Sequence, residues 1–457
     1  MSNNLKNATS YFEKAQKGYQ KWSLTPLAKR AELLGAFAKR LESEKDALAE
    51  TISKEVHKPL WESKTEVQSA IGKVQISIDA FRIRCPENIR ALPQGRSITR
   101  HKPHGVALVL GPFNFPVHLP NGHIIPTLLA GNSVIFKPSE LGKKSAEHYI
   151  KIAHEAGLPK DVLVLADSSI EVAQALLNEP INLVLFTGSY KVGKVLSEHF
   201  ASKPEVILAL EMGGNNPLVI GEITDFHAAS YQTIQSAFIT SGQRCTCARR
   251  LIVMEGLRGE AFLKELIHMT RGIKLGHWDD KQEPFMGPLV SEKAADHVVS
   301  SVDALIQKGA KPLYPLLRDK NDLKLLSPAI VDVTGMDNLP DEEIFGPVLQ
   351  VIRVKDLKQA IQVANDTRFG LSAGIFSDSQ SEYKMFFEGV KAGVINWNTP
   401  LTGASSYAPF GGVGYSGNGR PSALYAADYA AYPVASIESA TVKIPGNLPP
   451  GLEGVKQ

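Results

Sequence analysis

Val106-Ala-Leu-Val-Leu110, stopped by Gly111-Pro112, and Ser133-Val-Ile-Phe-Lys137, stopped by Pro138, carry the information that decides the fold. Each is a short strand-forming run with an apolar centre, ended by Gly-Pro or Pro. Such runs belong to strands buried on both faces. A helical stretch follows over 145–156, closed by Gly157 and Pro159. Residues 162–166 read as a strand. Ser168 with Glu171 three positions on has the form of a capping box for a helix through Leu177. Leu183-Val-Leu-Phe-Thr187 is a further strand, then a helix to Phe200 and a strand over 206–210. Parallel strands joined by helices bury both sheet faces and cross over right-handedly. Residues 106–210 are therefore expected to form a doubly wound, Rossmann-type α/β sheet of the kind that binds nucleotides.

The flanks extend this pattern. Leu33, Leu34, Phe37 and Leu41 recur at helical spacing, so the first hundred residues read mostly as packing helices broken by Pro86 and Pro93. Residues 97–101 read as a short polar extended arm. A second alternating stretch begins near Pro217, with strands at 251–254, 329–333, 349–354, 374–376 and 393–396, and is expected to be a second α/β domain. Residues 441–457, with three Pro and three Gly, read as a tail or docked arm.

Composition narrows the class. The chain has 457 residues, enough for two or three domains. Its net charge of +3 is too small for electrostatic binding to nucleic acid or a polybasic membrane contact. With 43% hydrophobic and 21% charged residues it is not a disordered chain. Three cysteines make no disulfide framework. No apolar run approaches the ~18 residues of a membrane span, and the first residues lack an apolar signal core. A cytoplasmic enzyme is the expectation.

Gly412-Val-Gly-Tyr-Ser-Gly417 matches the dinucleotide pattern in letters only. That fingerprint needs a strand before it and a helix opening within it, whereas Pro409 and Pro421 bracket this one. A tight glycine loop is expected instead. No His-Glu-x-x-His and no Cys-x-x-Cys pair is present, so no metal site is expected.

Four separated stretches combine glycine-rich or turn-forming backbone with a reactive polar residue. They are Gly242-Gln-Arg-Cys-Thr-Cys247, Leu210-Glu-Met-Gly-Gly-Asn-Asn-Pro217, Gly111-Pro-Phe-Asn-Phe-Pro116 and Phe186-Thr-Gly-Ser189. Together with Lys137-Pro-Ser-Glu140, Glu343-Ile-Phe-Gly-Pro347 and Pro409-Phe-Gly-Gly412, in this order and spacing, they resemble the aldehyde dehydrogenase superfamily along nearly the whole chain. Longer strings are similar to one branch of it: 114–124, 235–250 and 420–429. That branch acts on N-succinylglutamate 5-semialdehyde in arginine catabolism by the succinyltransferase route.

The resemblance implies a two-stage chemistry. Cys245 would be the nucleophile. Its free pKa of about 8.5 means that it needs help to ionise. Asn114 would hold the oxyanion with the Cys245 backbone N–H, and Glu211 would activate water against the resulting thioester. The implied cofactor is NAD, with Lys137 and Glu140 at the adenosine ribose, Gly188, Ser189 and Gly193 at the helix that receives the pyrophosphate, and Glu343 and Phe345 at the nicotinamide ribose. Glu140 favours NAD because a carboxylate accepts from a free 2′-OH and repels a 2′-phosphate. His118, Arg244, Thr246, Gly403, Ser405 and Phe410 would line the aldehyde channel. Of these His118, Arg244 and Ser405 suit an anionic aldehyde, although His118 is equally readable as a satisfied core residue. Cys85 and Cys247 read as structural.

The same resemblance implies an NAD-binding domain over 1–84 and 104–213, a catalytic domain over 214–429, and an oligomerisation arm and tail over 85–103 and 430–457. A homodimer or dimer of dimers would follow from the arm. Family members carry a longer segment before the first helix, whose absence bears on stability rather than chemistry. Two alternatives stay open: a dehydrogenase of another anionic semialdehyde such as glutamate γ-semialdehyde, and a catalytically retired member acting as a binding or structural protein.

Overall fold

Val106–Leu110 is buried throughout and forms the middle strand of a five-stranded parallel sheet. Across that sheet the order is Leu163–Leu165, Ser133–Lys137, Val106–Leu110, Leu183–Gly188, Ile207–Met212. The computed structural model describes residues 3–93, 95–444, 446–452 and 454. The strand's alternation divides two cores. Ala107 and Val109 pack with Phe37, Leu41, Leu128 and Tyr149 on one face. Val106, Leu108 and Leu110 pack with Leu176, Leu196 and Phe200 on the other.

Four helices, Asn3–Trp22, Leu27–Ser43, Lys45–Val56 and Leu60–Arg84, precede the sheet. The stripe Leu34, Phe37, Leu41 is fully buried, each side chain contributing roughly 1.5–3 kcal/mol. The chain order places Val106–Leu110 beside Leu183–Gly188, so successive crossovers leave in opposite directions from these two strands. Their carboxyl ends part there, and a crevice opens at that switch point.

The second sheet has seven strands, in the order Lys311–Tyr314, Ala329–Asp332, Val348–Val354, Ala248–Met254, Asn216–Ile220, Ser372–Phe376, Val394–Trp397. All neighbouring pairs are parallel except at the Lys311–Tyr314 edge. Leu218 and Leu251 face one core, Val219 and Ile252 the other. Gly95–Pro103 pairs antiparallel with both Asn88–Leu92 and Ala431–Glu438 in a three-stranded arm. Of the tail expected over 441–457, residues 445, 453 and 455–457 lie outside the described residues.

Two local expectations need correction. The helix cap is not Ser168: Ile170–Leu176 is preceded by Ser169, whose N–H is held by the Asp167 carboxylate at 2.9 Å. The helix expected from 145 begins earlier, as Lys143–Glu155. Its first-turn N–H groups at Lys144 and Ser145 donate to Glu55, at 2.7 and 2.8 Å. Glu55 is a cap contributed by another helix, and local spacing cannot reveal it.

Candidate active site

The segment carrying Cys245 leaves helix Phe226–Ala237 through a strained turn. Thr240 (φ 55°), Ser241 (φ 52°) and Gly242 (φ 73°) are all left-handed. For a β-branched residue this is an outlier, worth of order 1–3 kcal/mol. Gly242 is obligatory, because a Cβ there would meet the Gly346 carbonyl at 2.0 Å. Neighbouring groups hold the turn. Buried Glu62 accepts from the Thr240 N–H at 2.8 Å, and the Arg244 Nε donates to Thr240 Oγ1 at 2.7 Å. Asn216 donates to the carbonyls of both Cys245 and Cys247, at 2.7 and 2.8 Å. Arg249, almost fully buried, donates to the carbonyls of Gly242 (2.7 Å), Arg244 (2.9 Å) and Gly346 (3.2 Å). Strain at the turn thus persists because its surroundings over-determine it.

Cys245 emerges from this turn half-buried, whereas Cys247 is enclosed, with its Sγ 3.9 Å from the Ile239 carbonyl. Cys85 is likewise enclosed, against the Ala427 carbonyl. Burial, reinforced by Glu343 and Glu211, pushes the Cys245 thiol up to about 12, opposed by Arg249. Asn114 is tied to the same turn: one of its two amide N–H bonds donates to the Gln243 carbonyl at 2.9 Å, which fixes the amide plane and leaves the other N–H for a ligand. Among the described residues the Cys245 N–H has no protein acceptor.

Glu211 is the penultimate residue of strand Ile207–Met212, buried, with Oε2 unpartnered among the described residues. Burial raises its carboxyl well above the ordinary range, and a hydrogen bond from the Ser422 N–H opposes this only partly. The loop 412–417 stands behind it. Gly417 bridges to Glu211, and Ser416 Oγ donates to the Gly213 carbonyl at 2.7 Å. The glycine loop is therefore a buttress and not a phosphate cradle.

Two cavities converge on these groups. The first, about 320 Å³, is lined by His118, Arg244, Thr246, Gly403, Ser405 and Phe410, all expected from sequence. The second, about 470 Å³, is lined by Lys137, Glu140, Gly188, Ser189, Glu343 and Phe345. Asn114, Glu211 and Cys245 line both.

In the second cavity the helix Tyr190–Phe200 opens at Ser189, whose side chain caps the Val192 N–H. The positive end of its dipole therefore stands at the cavity wall. Glu343 lies over Gly213, where a Cβ would fall 1.7 Å from Oε2, and is paired with Arg249 at 3.4 Å. Gly193 does not line the space. It sits behind the wall, where a Cβ would meet the Met212 Sδ at 2.3 Å, and so sets the helix–strand distance.

In the first cavity, burial and the cations Lys73, Lys58 and Arg244 push the His118 imidazole down to about 3. The ring is neutral, with Nδ1 unpartnered, so it offers polarity but no charge. Sequence reasoning missed the helix Leu60–Arg84 as a wall: Glu62, Thr65, Glu66, Ser69 and Lys73 all line this cavity. Their spacing of three and four residues marks one helix face, a polar stripe that spacing could have exposed. His123, also missed, lies 2.8 Å from the Tyr429 hydroxyl and 3.3 Å from Thr187 Oγ1. No cluster able to hold a metal ion, and no helix long and apolar enough to cross a membrane, occurs among the described residues.

Comparison with known proteins gives the family. The N-succinylglutamate 5-semialdehyde dehydrogenase of Serratia proteamaculans (strain 568) is 48% identical over 441 residues, covering 96% of this chain and 90% of that protein. Its namesake from Erwinia tasmaniensis is 49% identical over 442 residues, with the same coverage. Among solved structures, glyceraldehyde-3-phosphate dehydrogenase from Methanocaldococcus jannaschii DSM 2661, complexed with NADP, superposes with a TM-score of 0.89 at 27% identity, over 95% of this chain and 94% of that one. An indole-3-acetaldehyde dehydrogenase complexed with NAD+ gives 0.89 at 29% identity, over 95% and 89%. The sequence model described as aldehyde dehydrogenase family matches residues 2–432. With a half-buried cysteine, an aimed amide and a buried carboxyl at the meeting point of two cavities, and with relatives of this kind, the chain belongs to the aldehyde dehydrogenase family.

Proposed function

We propose that this protein oxidises N-succinyl-L-glutamate 5-semialdehyde to N-succinyl-L-glutamate with NAD, in arginine catabolism by the succinyltransferase route. The observation that carries this reading is the junction: Asn114, Glu211 and Cys245 line both cavities, so a carbonyl entering from one side meets a dinucleotide entering from the other. The substrate follows from the relatives of that name, which match this chain over almost its whole length.

The second cavity fits a pyridine nucleotide. Lys137 and Glu140 would take the adenosine ribose, the N-terminal turn at Gly188 and Ser189 the pyrophosphate, and Glu343 with Phe345 the nicotinamide ribose. Glu140 favours NAD over NADP. When bound, the nucleotide supplies the hydride acceptor. The remaining chemistry belongs to the chain. Cys245 releases its proton to water in the cavity, and its sulfur adds to the aldehyde carbon. The Asn114 amide and the Cys245 N–H receive the oxyanion, donors of a kind worth about 2.7–4 kcal/mol each at the transition state. Loss of hydride leaves a thioester on Cys245. Glu211, once deprotonated, takes a proton from water, whose oxygen then displaces the sulfur.

We further propose that residues 1–84 and 104–213 form the unit that holds the nucleotide, that 214–429 carries the nucleophile, and that the arm over 85–103 and 430–457 joins subunits in a homodimer or dimer of dimers. The arm supports this with exposed Ile89, Leu92 and Ile437 along its strands.

The test is a substrate panel. N-succinylglutamate semialdehyde should exceed glutamate γ-semialdehyde and succinate semialdehyde in kcat/KM. An equal or higher value for an unsuccinylated aldehyde would overturn the substrate while leaving the reaction class.

A further inference from the structure

We propose that Lys73, presented by helix Leu60–Arg84 with Ser406 of the facing loop, is the anion anchor of the aldehyde cavity and receives the succinyl carboxylate of the substrate. This rests on the reading of the first cavity as the aldehyde channel. The argument begins with charge pairing. Three acidic and two basic side chains line that cavity: Glu62, Glu66, Glu211, Lys73 and Arg244. Glu66 is ion-paired to Lys58, which lies just outside the lining, and accepts from the N–H groups of Val117 and His118 at 2.9 and 3.1 Å. Glu62 is 3.9 Å from Arg244. Glu211 is buried, which raises its carboxyl well above the ordinary range, and no ion pair joins it to Lys73 among the described residues. Lys73 is left over.

Lys73 is 4% exposed, and its Nζ has one hydrogen-bond partner among the described residues, Ser406 Oγ at 3.0 Å. No carboxylate offsets its burial, which lowers the ammonium to about 8, so it stays charged at neutral pH. An ammonium has three donors, and a buried unpaired cation is among the most costly groups a fold can keep. The remaining donors therefore await an acceptor, and the space beside them is the cavity itself. Ser69, one helical turn earlier, also lines the cavity and adds a hydroxyl. Lys73 does not line the nucleotide cavity, whereas Cys245 lines both. The cation thus lies away from the reacting carbon, where the far end of an extended acyl chain arrives.

The experiment compares Lys73→Met with the unaltered enzyme on two matched pairs. One pair is N-succinylglutamate semialdehyde and its analogue with the succinyl carboxylate converted to an amide. The other is 6-oxohexanoate and hexanal, equal in carbon count and differing in the terminal carboxylate. The unaltered enzyme should prefer the anionic member of each pair, and Lys73→Met should cut that preference in kcat/KM by about 10- to 100-fold, the span of a charged hydrogen bond. Lys73→Arg should restore part of it. Ser406→Ala should lower the preference in the same direction by less, which guards against a folding defect in the first variant. An unchanged preference in Lys73→Met, or an equal fall for charged and neutral members, would overturn the assignment. Failure of the proposed substrate would show instead as better turnover of unsuccinylated aldehydes by the unaltered enzyme, and the second pair would still decide the role of Lys73.

Discussion

Replacing Asn114 by Ala separates two roles that the structure gives one side chain. The amide's first N–H is committed to the Gln243 carbonyl at 2.9 Å, within the turn that presents Cys245. Its second N–H is free for the oxyanion. Removing the second costs transition-state stabilisation of about 2.7–4 kcal/mol, or about 100- to 1,000-fold in kcat. Removing the first leaves a buried carbonyl unpaired, at about 1–3 kcal/mol of stability. Steady-state NADH formation reads the first effect and urea unfolding the second. Asn114→Asp isolates the chemistry further: it keeps the shape but, ionised, has no donor and faces the Gln243 carbonyl with like charge. Asn114→Asp should be at least as impaired as Asn114→Ala. Wild-type kcat/KM in Asn114→Ala, with the protein folded, would refute the oxyanion assignment.

Other consequences are open to measurement. Arg249→Met removes the donor to the carbonyls of Gly242, Arg244 and Gly346 and takes the cation from half-buried Glu343; it should cost about 3–5 kcal/mol of stability, read as a lowered denaturant midpoint. Glu140→Gln should shift the NADP-to-NAD ratio of kcat/KM upward by about fivefold, the scale of ~1 kcal/mol for an exposed charge pair. Cys245 and Glu211 are both acids raised by burial, the thiol to about 12, so activity should climb with rising pH through the neutral and alkaline range as the fraction of each basic form grows. A flat profile would contradict that. The sign for stability is opposite. Glu211, raised above its unfolded value of about 4.3, binds more protons folded than unfolded, so its burial costs increasing stability as pH rises above that value. Glu211→Gln should therefore unfold at higher urea than the unaltered chain near neutral pH.

The parts of the fold that were legible in sequence are those where one strand or helix speaks for itself. Val106–Leu110 reads as a two-faced buried strand because every residue in it is apolar, and the stripe Leu34, Phe37, Leu41 reads as a buried helix face from spacing alone. The letters around Cys245, Asn114 and Glu211 were legible as a family pattern. Their convergence was not, because it depends on the distance between two sheets. What sequence hid were the contacts made across elements. Glu55 capping a helix ninety residues away, Glu62 holding the Thr240 N–H, and Asn216 holding two carbonyls beside Cys245 join positions with no local periodicity between them. Lys73 was passed over for a related reason. A lysine on a long helix reads as a solvated residue, and only packing against His118–Ala130 buries it. The Ser168 cap misled because Ser169 and Asp167 offer equivalent side chains one residue away, and the turn geometry chose between them.

The division of labour between Cys245 and Glu211 is tested most directly by rapid mixing of Glu211→Gln with NAD and N-succinylglutamate semialdehyde. Acylation of Cys245 requires no carboxylate at 211, whereas thioester hydrolysis does. NADH should appear in a burst equal to the concentration of active sites and then stop, with the acyl group recoverable on Cys245. Continuous turnover at the wild-type rate, with no acylated protein, would contradict the account.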